Sequence, residues 1–221
     1  YTNRMCELIH GGRRVAPVAL LYYAEGEWSG AYQNDDRAAH VMADQQIEYD
    51  IIPQEVLAKP QEYRTELREG CLQVNTQEYR ILIIPYSQFL TEELARGILA
   101  LREYGIPVVF TEDYPEGLCN GISGEAEKEL IEEIRQRTEV VPVTKLVEVI
   151  RQERLEELTL SPADGRLRYL HYVQEDGCEI WMFVNEGEKE YQGEVQLIQE
   201  AESTAYVYDA WDNLLEPAGW N

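Results

Sequence analysis

Residues Arg80–Gly121 read RILIIPYSQFLTEELARGILALREYGIPVVFTEDYPEGLCNG, and this stretch decides the fold. An apolar run from Ile81 to Tyr86 is followed by an amphipathic segment and a second apolar run from Ile106 to Phe110, the pattern of a strand, a helix and a strand. Thr91 is placed to cap the helix, and Glu92 and Glu93 put negative charge on its first turn. Leu94, Ile98 and Leu101 recur at helical spacing, and Gly105 with Pro107 ends it. Two apolar strands joined by a helix lie parallel and must be covered on both faces, so the unit implies a sheet with helices around it.

The same alternation extends outward. Val15–Tyr23 reads as a buried strand with Pro17 near its start, and Ala24–Gly30 as the loop that leaves it. Asp35–Gln46 reads as a helix capped by Asn34 or Asp35, Ile47–Ile52 as a strand, and Pro53–Leu57 as a helical turn. Residues 58–71 are polar, and Leu72–Glu78 reads as a short extended segment. After the central crossover come an acidic helix, Glu125–Arg137, with the narrow stripe Leu130, Ile131 and Ile134, then a strand at Val140–Val143 and a helix at Thr144–Leu155. Beyond about residue 156 the pattern changes to five short strands: Leu158–Leu160, Leu167–Val173, Glu179–Asn185, Glu194–Ile198 and Ala205–Ala210. Turn signals such as Glu175-Asp176-Gly177 separate them. The expected organisation is a polar linker over 1–14, an α/β domain over 15–155 and a small antiparallel β domain over 156–221.

At 221 residues and a formal net charge of −23, from 42 acidic against 19 basic residues, the chain is a poor partner for nucleic acid or an anionic membrane. No apolar run approaches the roughly 18 residues of a membrane span, and the start is not signal-like. Cys6, Cys71, Cys119 and Cys178 stand singly, without metal or disulfide spacing, which points to reduced thiols in a cytoplasmic protein. Opening with Tyr1 rather than Met, the chain reads as a segment of a longer one.

Three groups of residues are candidates for chemistry. Gly117-Leu118-Cys119-Asn120-Gly121 has the composition of a nucleophile elbow, with His171 as the one downstream histidine that could serve as base. Against it, Tyr114-Pro115-Glu116 is no strand, and the acids that open the next helix disfavour a thiolate; the structural reading is a glycine-rich turn, with His171 a sheet position. In the loop after the first strand, Glu25 and Glu27 could accept hydroxyl hydrogen bonds and Trp28 could stack on a sugar ring, because open α/β sheets bind ligands at the carboxyl ends of their strands. The structural alternative packs Trp28 on a neighbouring helix with both glutamates solvated. The loop lacks the glycine spacing of a phosphate or flavin site, so no cofactor is expected, and His10, His40 and His171 show no metal spacing. Glu112 and Asp113, at a strand end, are the best placed of the many acids for paired-carboxylate chemistry, but a solvated loop accounts for them better.

The stretches ALLYYAEGEWSG, QQIEYDIIPQEVL and the central crossover together resemble the non-catalytic α/β domain that follows the TIM barrel in some large glycoside hydrolases. That domain is similar to the trimerisation domain of certain β-galactosidases and to the amidotransferase-like domain of α-L-rhamnosidase-type enzymes. RLRYLHYVQEDGCEIWMFVNEG and AYVYDAWDNLLEPAG resemble the β segment that closes such enzymes. The resemblance implies a flavodoxin-like or amidotransferase-like parallel sheet flanked by helices, followed by a small antiparallel β domain. It also implies a chain without catalytic residues of its own, partnered by an upstream catalytic barrel and in contact with carbohydrate or with further copies of itself. The rival readings are a Cys119-dependent amidotransferase or hydrolase, and a stand-alone carbohydrate-binding or oligomerisation module.

Overall fold

The computed structural model describes residues 1–198 and 205–219; residues 199–204 and 220–221, which fall in the expected β domain, lie outside the described residues. The chain begins with helix α1 (Thr2–Ile9) and strand β1 (Arg13–Val15), where the sequence suggests an irregular linker. Neither element is stable by its own pattern. β1 exists because it pairs antiparallel with a strand late in the chain, and α1 is held by Arg4, whose guanidinium donates to the carbonyls of Ala210 and Trp211 at 2.9 and 3.0 Å.

The expected single strand Val15–Tyr23 is split at Ala16-Pro17, so that β2 (Val18–Tyr22) belongs to a different sheet from β1. Pro17 has no N–H to continue a ladder, and its carbonyl instead accepts from Arg80 N at 2.8 Å. Ala24–Ser29 forms a short helix, α2, rather than a loop, followed by α3 (Asp35–Ala43). α3 stops three residues before its predicted end because Gln46 adopts φ +53° and turns the chain. Next come β3 (Tyr49–Pro53), α4 (Glu55–Ala58) and an antiparallel meander of β4 (Thr65–Arg68), β5 (Cys71–Val74) and β6 (Gln77–Tyr79).

The central crossover forms as predicted: β7 (Ile81–Ile84), a two-residue strand β8 (Phe89–Leu90), α5 (Glu92–Glu103) and β9 (Val108–Thr111). Thr91 caps α5, its hydroxyl accepting from Leu94 N at 3.3 Å. β10 (Gly117–Leu118) pairs with β8; α6 (Glu125–Arg137) and β11 (Glu139–Val141) follow, and a 3-10 turn at Val143–Lys145 leads into α7 (Leu146–Gln152). The remaining strands are β12 (Leu158–Ser161), β13 (Leu167–Val173), β14 (Glu179–Asn185), β15 (Glu194–Leu197), β16 (Tyr206–Asp209) and β17 (Leu214–Pro217).

The main sheet is five-stranded and all parallel, in the order β11-β9-β7-β2-β3. Alternation along the strands sends Ala19, Leu21, Leu82, Ile84, Val108 and Phe110 to one face, where they pack on α4, α5 and α6. Val18, Leu20, Ile81, Ile83 and Val109 pack on α3 and α7 across the other. The result is a doubly wound α/β layer structure with the flavodoxin-type strand order, and the topological switch point lies between β2 and β7.

The β elements that follow form a three-stranded sheet, β1-β13-β14, and two antiparallel pairs, β12-β15 and β16-β17. Polar ties join this region to the α/β unit. Gln46 Nε2 donates to the carbonyls of Asp164 and Leu167 at 3.0 and 2.9 Å, Arg168 pairs with Asp44 at 3.0 Å, and Arg14 on β1 pairs with Glu48 and Asp50.

Candidate functional site

A cleft lies where ligands bind in open α/β sheets, beyond the carboxyl ends of β2 and β7. Tyr22 and Tyr23 enter it from the end of β2, Glu27 from α2, Tyr32 and Gln33 from the segment before α3, and Tyr86 and Ser87 from the turn after β7. Backbone pairing fixes this geometry. Gln33 N donates to Tyr86 O and Gln88 N to Ala31 O, both at 2.8 Å, and Tyr32 and Ser87 form an antiparallel bridge. α2 can sit this close only because residue 26 is glycine: a Cβ there would meet the Tyr23 ring at 2.5 Å and Ser87 Oγ at 2.6 Å. At the back of the cleft, Thr111 Oγ1 donates to Gln33 Oε1 at 2.6 Å and accepts from Tyr86 N at 3.3 Å.

Of the three residues proposed for sugar contact, Glu27 lines the cleft, Glu25 is half-buried on α2, and Trp28 on the same helix is 82% exposed. The alternative that Trp28 packs on a neighbouring helix is therefore wrong. Gln33, Tyr22, Tyr32 and Tyr86 were not visible as site residues, because the sequence does not show that β7 ends beside β2. No Lys or Arg lines the cleft, and Glu27 and Asp35 do. These residues do not fit the phosphate of a nucleotide or flavin, whose recognition calls for amide-rich turns and positive charge.

The structure gives Gly117–Gly121 a different role from a nucleophile elbow. β9 ends at Thr111, eight residues before Cys119, and α6 begins only at Glu125. Cys119 N donates to Leu90 O at 2.8 Å, extending the β8-β10 pair, and its exposed Sγ lies 3.8 Å from Tyr23 Oη. Burial first, and then the Cys119 neighbour, push the Tyr23 phenol up, so it stays protonated and is no base for the thiol. His171 is not brought to Cys119: it sits in β13 opposite Val15, beyond the amino end of β2, while Cys119 is beside Tyr23 at the carboxyl end.

The two glycines of the pentapeptide answer to two glutamates. Glu127 Oε1 accepts from Leu118 N at 2.7 Å and would lie 2.6 Å from a Cβ on Gly117. Glu92 Oε2 accepts from Ile122 N at 2.8 Å and would lie 2.1 Å from a Cβ on Gly121, which also has φ +80°. Asn120 Oδ1 completes the turn by accepting from Glu92 N at 2.8 Å. Glu112 and Asp113 are likewise occupied locally, accepting from Val143 N at 3.2 Å and Tyr114 N at 2.7 Å.

His171 is instead part of a buried hub in the β region. It is 2% exposed, its Nδ1–H donates to Glu157 at 2.9 Å, and its ring stacks on Trp181 with centroids 3.8 Å apart. Tyr169 Oη donates to the other Glu157 oxygen at 2.9 Å, and burial followed by the Glu157 charge pushes that phenol up. Among the described residues no group of three or more His, Cys, Asp or Glu is placed to hold a metal ion, and no helix is long and apolar enough to cross a membrane.

No protein-family model matches the chain, and no curated protein does. Among solved structures it is similar to α-L-fucosidase isoenzyme 2 from Paenibacillus thiaminolyticus, at 12% identity and TM-score 0.48, over 93% of this chain and 43% of that one. It is also similar to the apo exo-carrageenase GH42 from Bacteroides ovatus, at 6% identity and TM-score 0.42, over 82% of this chain and 28% of that one. Both neighbours are glycoside hydrolases, and the chain spans less than half the length of either.

Proposed function

We propose that this chain is the non-catalytic accessory region of a glycoside hydrolase acting in carbohydrate metabolism, and that the carboxyl end of its parallel sheet borders the carbohydrate site. In this reading an upstream barrel is its partner and carries the catalytic acid and nucleophile. The observation that carries the reading is Trp28, 82% exposed on the helix that walls the switch-point cleft. An indole held in water beside a cleft of tyrosines, two amides and carboxylates offers what a sugar needs: an aromatic face for its C–H surface and planar polar groups for its hydroxyls. The resemblance of the sequence to the α/β domain of large glycoside hydrolases supports the assignment. So does Cys119, which lies in a glutamate-pinned turn away from His171. The β16-β17 hairpin leaves Val207, Trp211, Leu214 and Leu215 more than half exposed, and apolar surface of this kind suits cover by a barrel or by another copy.

Titrating the chain with methyl glycosides while following tryptophan fluorescence tests the sugar-facing role. A saturable change in wild type that disappears in Trp28→Ala is expected, and an identical response in both proteins removes Trp28 from the site. Cys119→Ala should bind as wild type does. A native gene with no catalytic barrel upstream of these residues would overturn the accessory assignment.

A further inference from the structure

A second opening, in the β region, holds about 640 Å³ where the switch-point cleft holds about 20 Å³. Cross-strand pairing shows how it arises. Leu167, Tyr169 and His171 alternate along β13 and stand opposite Asn185, Phe183 and Trp181 on β14, so these six side chains share one face of the three-stranded sheet. At the His171 end Glu157 closes that face by accepting from both His171 and Tyr169. At the Leu167 end the face stays open: Leu167, Phe183 and Asn185 line the cleft together with Val195 of β15 and the strap of residues 190–193 that leads into that strand.

The walls are fixed by what surrounds them. Tyr191 Oη donates to Pro162 O at 2.8 Å, and Gly193 lies so close to both strands of this contact that a Cβ there would meet Ser161 O and Tyr191 Oη at 2.5 Å each. Asn185 braces the neighbouring turn, accepting from Gly187 N at 2.9 Å and donating to Lys189 O at 2.7 Å. Phe183 leans on Tyr169, with ring centroids 6.4 Å apart, and keeps 41% of its surface in water. Glu190 and Gln192 in the lining are exposed as well.

The volume falls within the range of about 300–1,000 Å³ that small-molecule pockets occupy. Among the described residues that line the cleft, Glu190 is the one charged group and no Lys or Arg is present, so an anion would be repelled by it and by the net charge of −23. A wholly apolar guest would strip water from the Glu190 carboxylate and the Gln192 amide without replacing their hydrogen bonds. A neutral sugar meets both demands: its C–H face packs on the Phe183 ring, and its hydroxyls donate to the carboxylate and exchange hydrogen bonds with the amide. We infer that this cleft is a binding site for one or two rings of a neutral saccharide, with Phe183 as its aromatic floor and Glu190 and Gln192 as its hydroxyl partners. It shares no described residue with the switch-point cleft, so it stands or falls separately from the role of Trp28 and from the accessory assignment.

Nitrogen-15 NMR on the 221-residue chain tests it, read at the backbone amides of Gly193 and Val195 and at the Gln192 side-chain amide, the last assigned by its loss in Gln192→Ala. The probes are methyl glycosides of glucose, galactose and mannose and the disaccharides lactose and cellobiose, with galacturonate as an anionic counterpart and cyclohexanol as a mostly apolar ring, each to about 50 mM, which reveals dissociation constants in the millimolar range. At least one neutral sugar should move all three signals saturably. Phe183→Ala should weaken that binding about tenfold. Gln192→Ala, at an exposed position of the strap where the fold has little to lose, should weaken it about threefold or more, and Trp28→Ala should bind at this site as wild type does. If these signals stay still with every neutral sugar, or if Phe183→Ala and Gln192→Ala both bind as tightly as wild type, the site is overturned, whatever the Trp28 indole does. Galacturonate or cyclohexanol binding as tightly as the best neutral sugar overturns the ligand class.

Discussion

The parallel sheet and the β elements that follow it are built from similar residues and held together differently. In the sheet, β2, β7 and β9 are buried on both faces, and Leu20, Ile83 and Phe110 have almost no contact with water. In the β region, β14, β16 and β17 are largely exposed, and the buried residues are few: Leu158, Leu167, Tyr169, His171 and Ala210 among them. What replaces an apolar core there is the Glu157 hub with its two donors, the Tyr1–Trp211 stack at 4.3 Å, and polar ties to the turn after α3 and to β3. The first region draws its stability from area removed from water, the second from a few satisfied polar groups, so the two should fail under different changes.

The largest effect separates them directly. Leu82→Ala removes a side chain with 0% exposure from the central strand and should cost about 2–5 kcal/mol in urea unfolding. Leu215→Ala, on β17 with 63% of its surface in water, should change stability by less than about 0.5 kcal/mol. Equal losses would mean that the hairpin is covered in solution and that the contrast in burial is not real.

A middle-sized effect belongs to the hub. Glu157→Gln keeps the shape but removes the charged acceptor that both groups share: an amide N–H2 toward Tyr169 makes the phenol accept instead of donate, and one toward His171 Nδ1–H sets donor against donor unless the ring changes tautomer. A loss of about 1–3 kcal/mol is expected. It should be confined to the β region: hydrogen exchange should speed up in β12, β13 and β15, and the fluorescence of Trp181, stacked on His171, should change. Amides of β7 and β9 should keep their protection. Loss of protection in both regions together would show that they fold as one unit.

What could be read from the sequence follows the same division. The central crossover, α6 over Glu125–Arg137 and the strands β13 and β14 were legible because each carries its own periodicity and punctuation, as with the Thr91 cap of α5. α1, β1 and β4 were not. The strand Thr65-Glu66-Leu67-Arg68 has no apolar run and exists by pairing with β5, and β1 exists by pairing with β13, more than 150 residues away. Of the candidate site, Glu27 and Trp28 could be picked out by position after the first strand. Gln33 could not, since its significance depends on Thr111, 78 residues later, and on the end of β7. The Gly-x-Cys-x-Gly pattern misled in the other direction: its glycines make room for Glu92 and Glu127, which a local motif cannot show.

The smallest effect sets one glutamate against another. Glu157 is buried and accepts from Tyr169 and His171, whereas Glu92 lies near the surface, where Arg96 first and then Ile122 N–H hold its carboxyl below the usual range. A carboxyl lowered in the folded state contributes stability above its unfolded pKa, and loses it as pH falls through the folded value. Acidification from neutral pH should therefore leave the Cys119–Ile122 turn intact through the ordinary carboxylate range and loosen it only below. The Ile122 amide proton reports this, shifting with an apparent midpoint lower than that of an unpartnered glutamate, and showing no such step in Glu92→Gln. The global unfolding midpoint should barely move, because a partly solvated ion pair on a helix surface contributes little. If Glu92→Gln instead lowered protection across β7 and β9, the turn would be a keystone of the parallel unit rather than a local clasp, and the division between apolar core and polar ties would need redrawing inside the α/β layer itself.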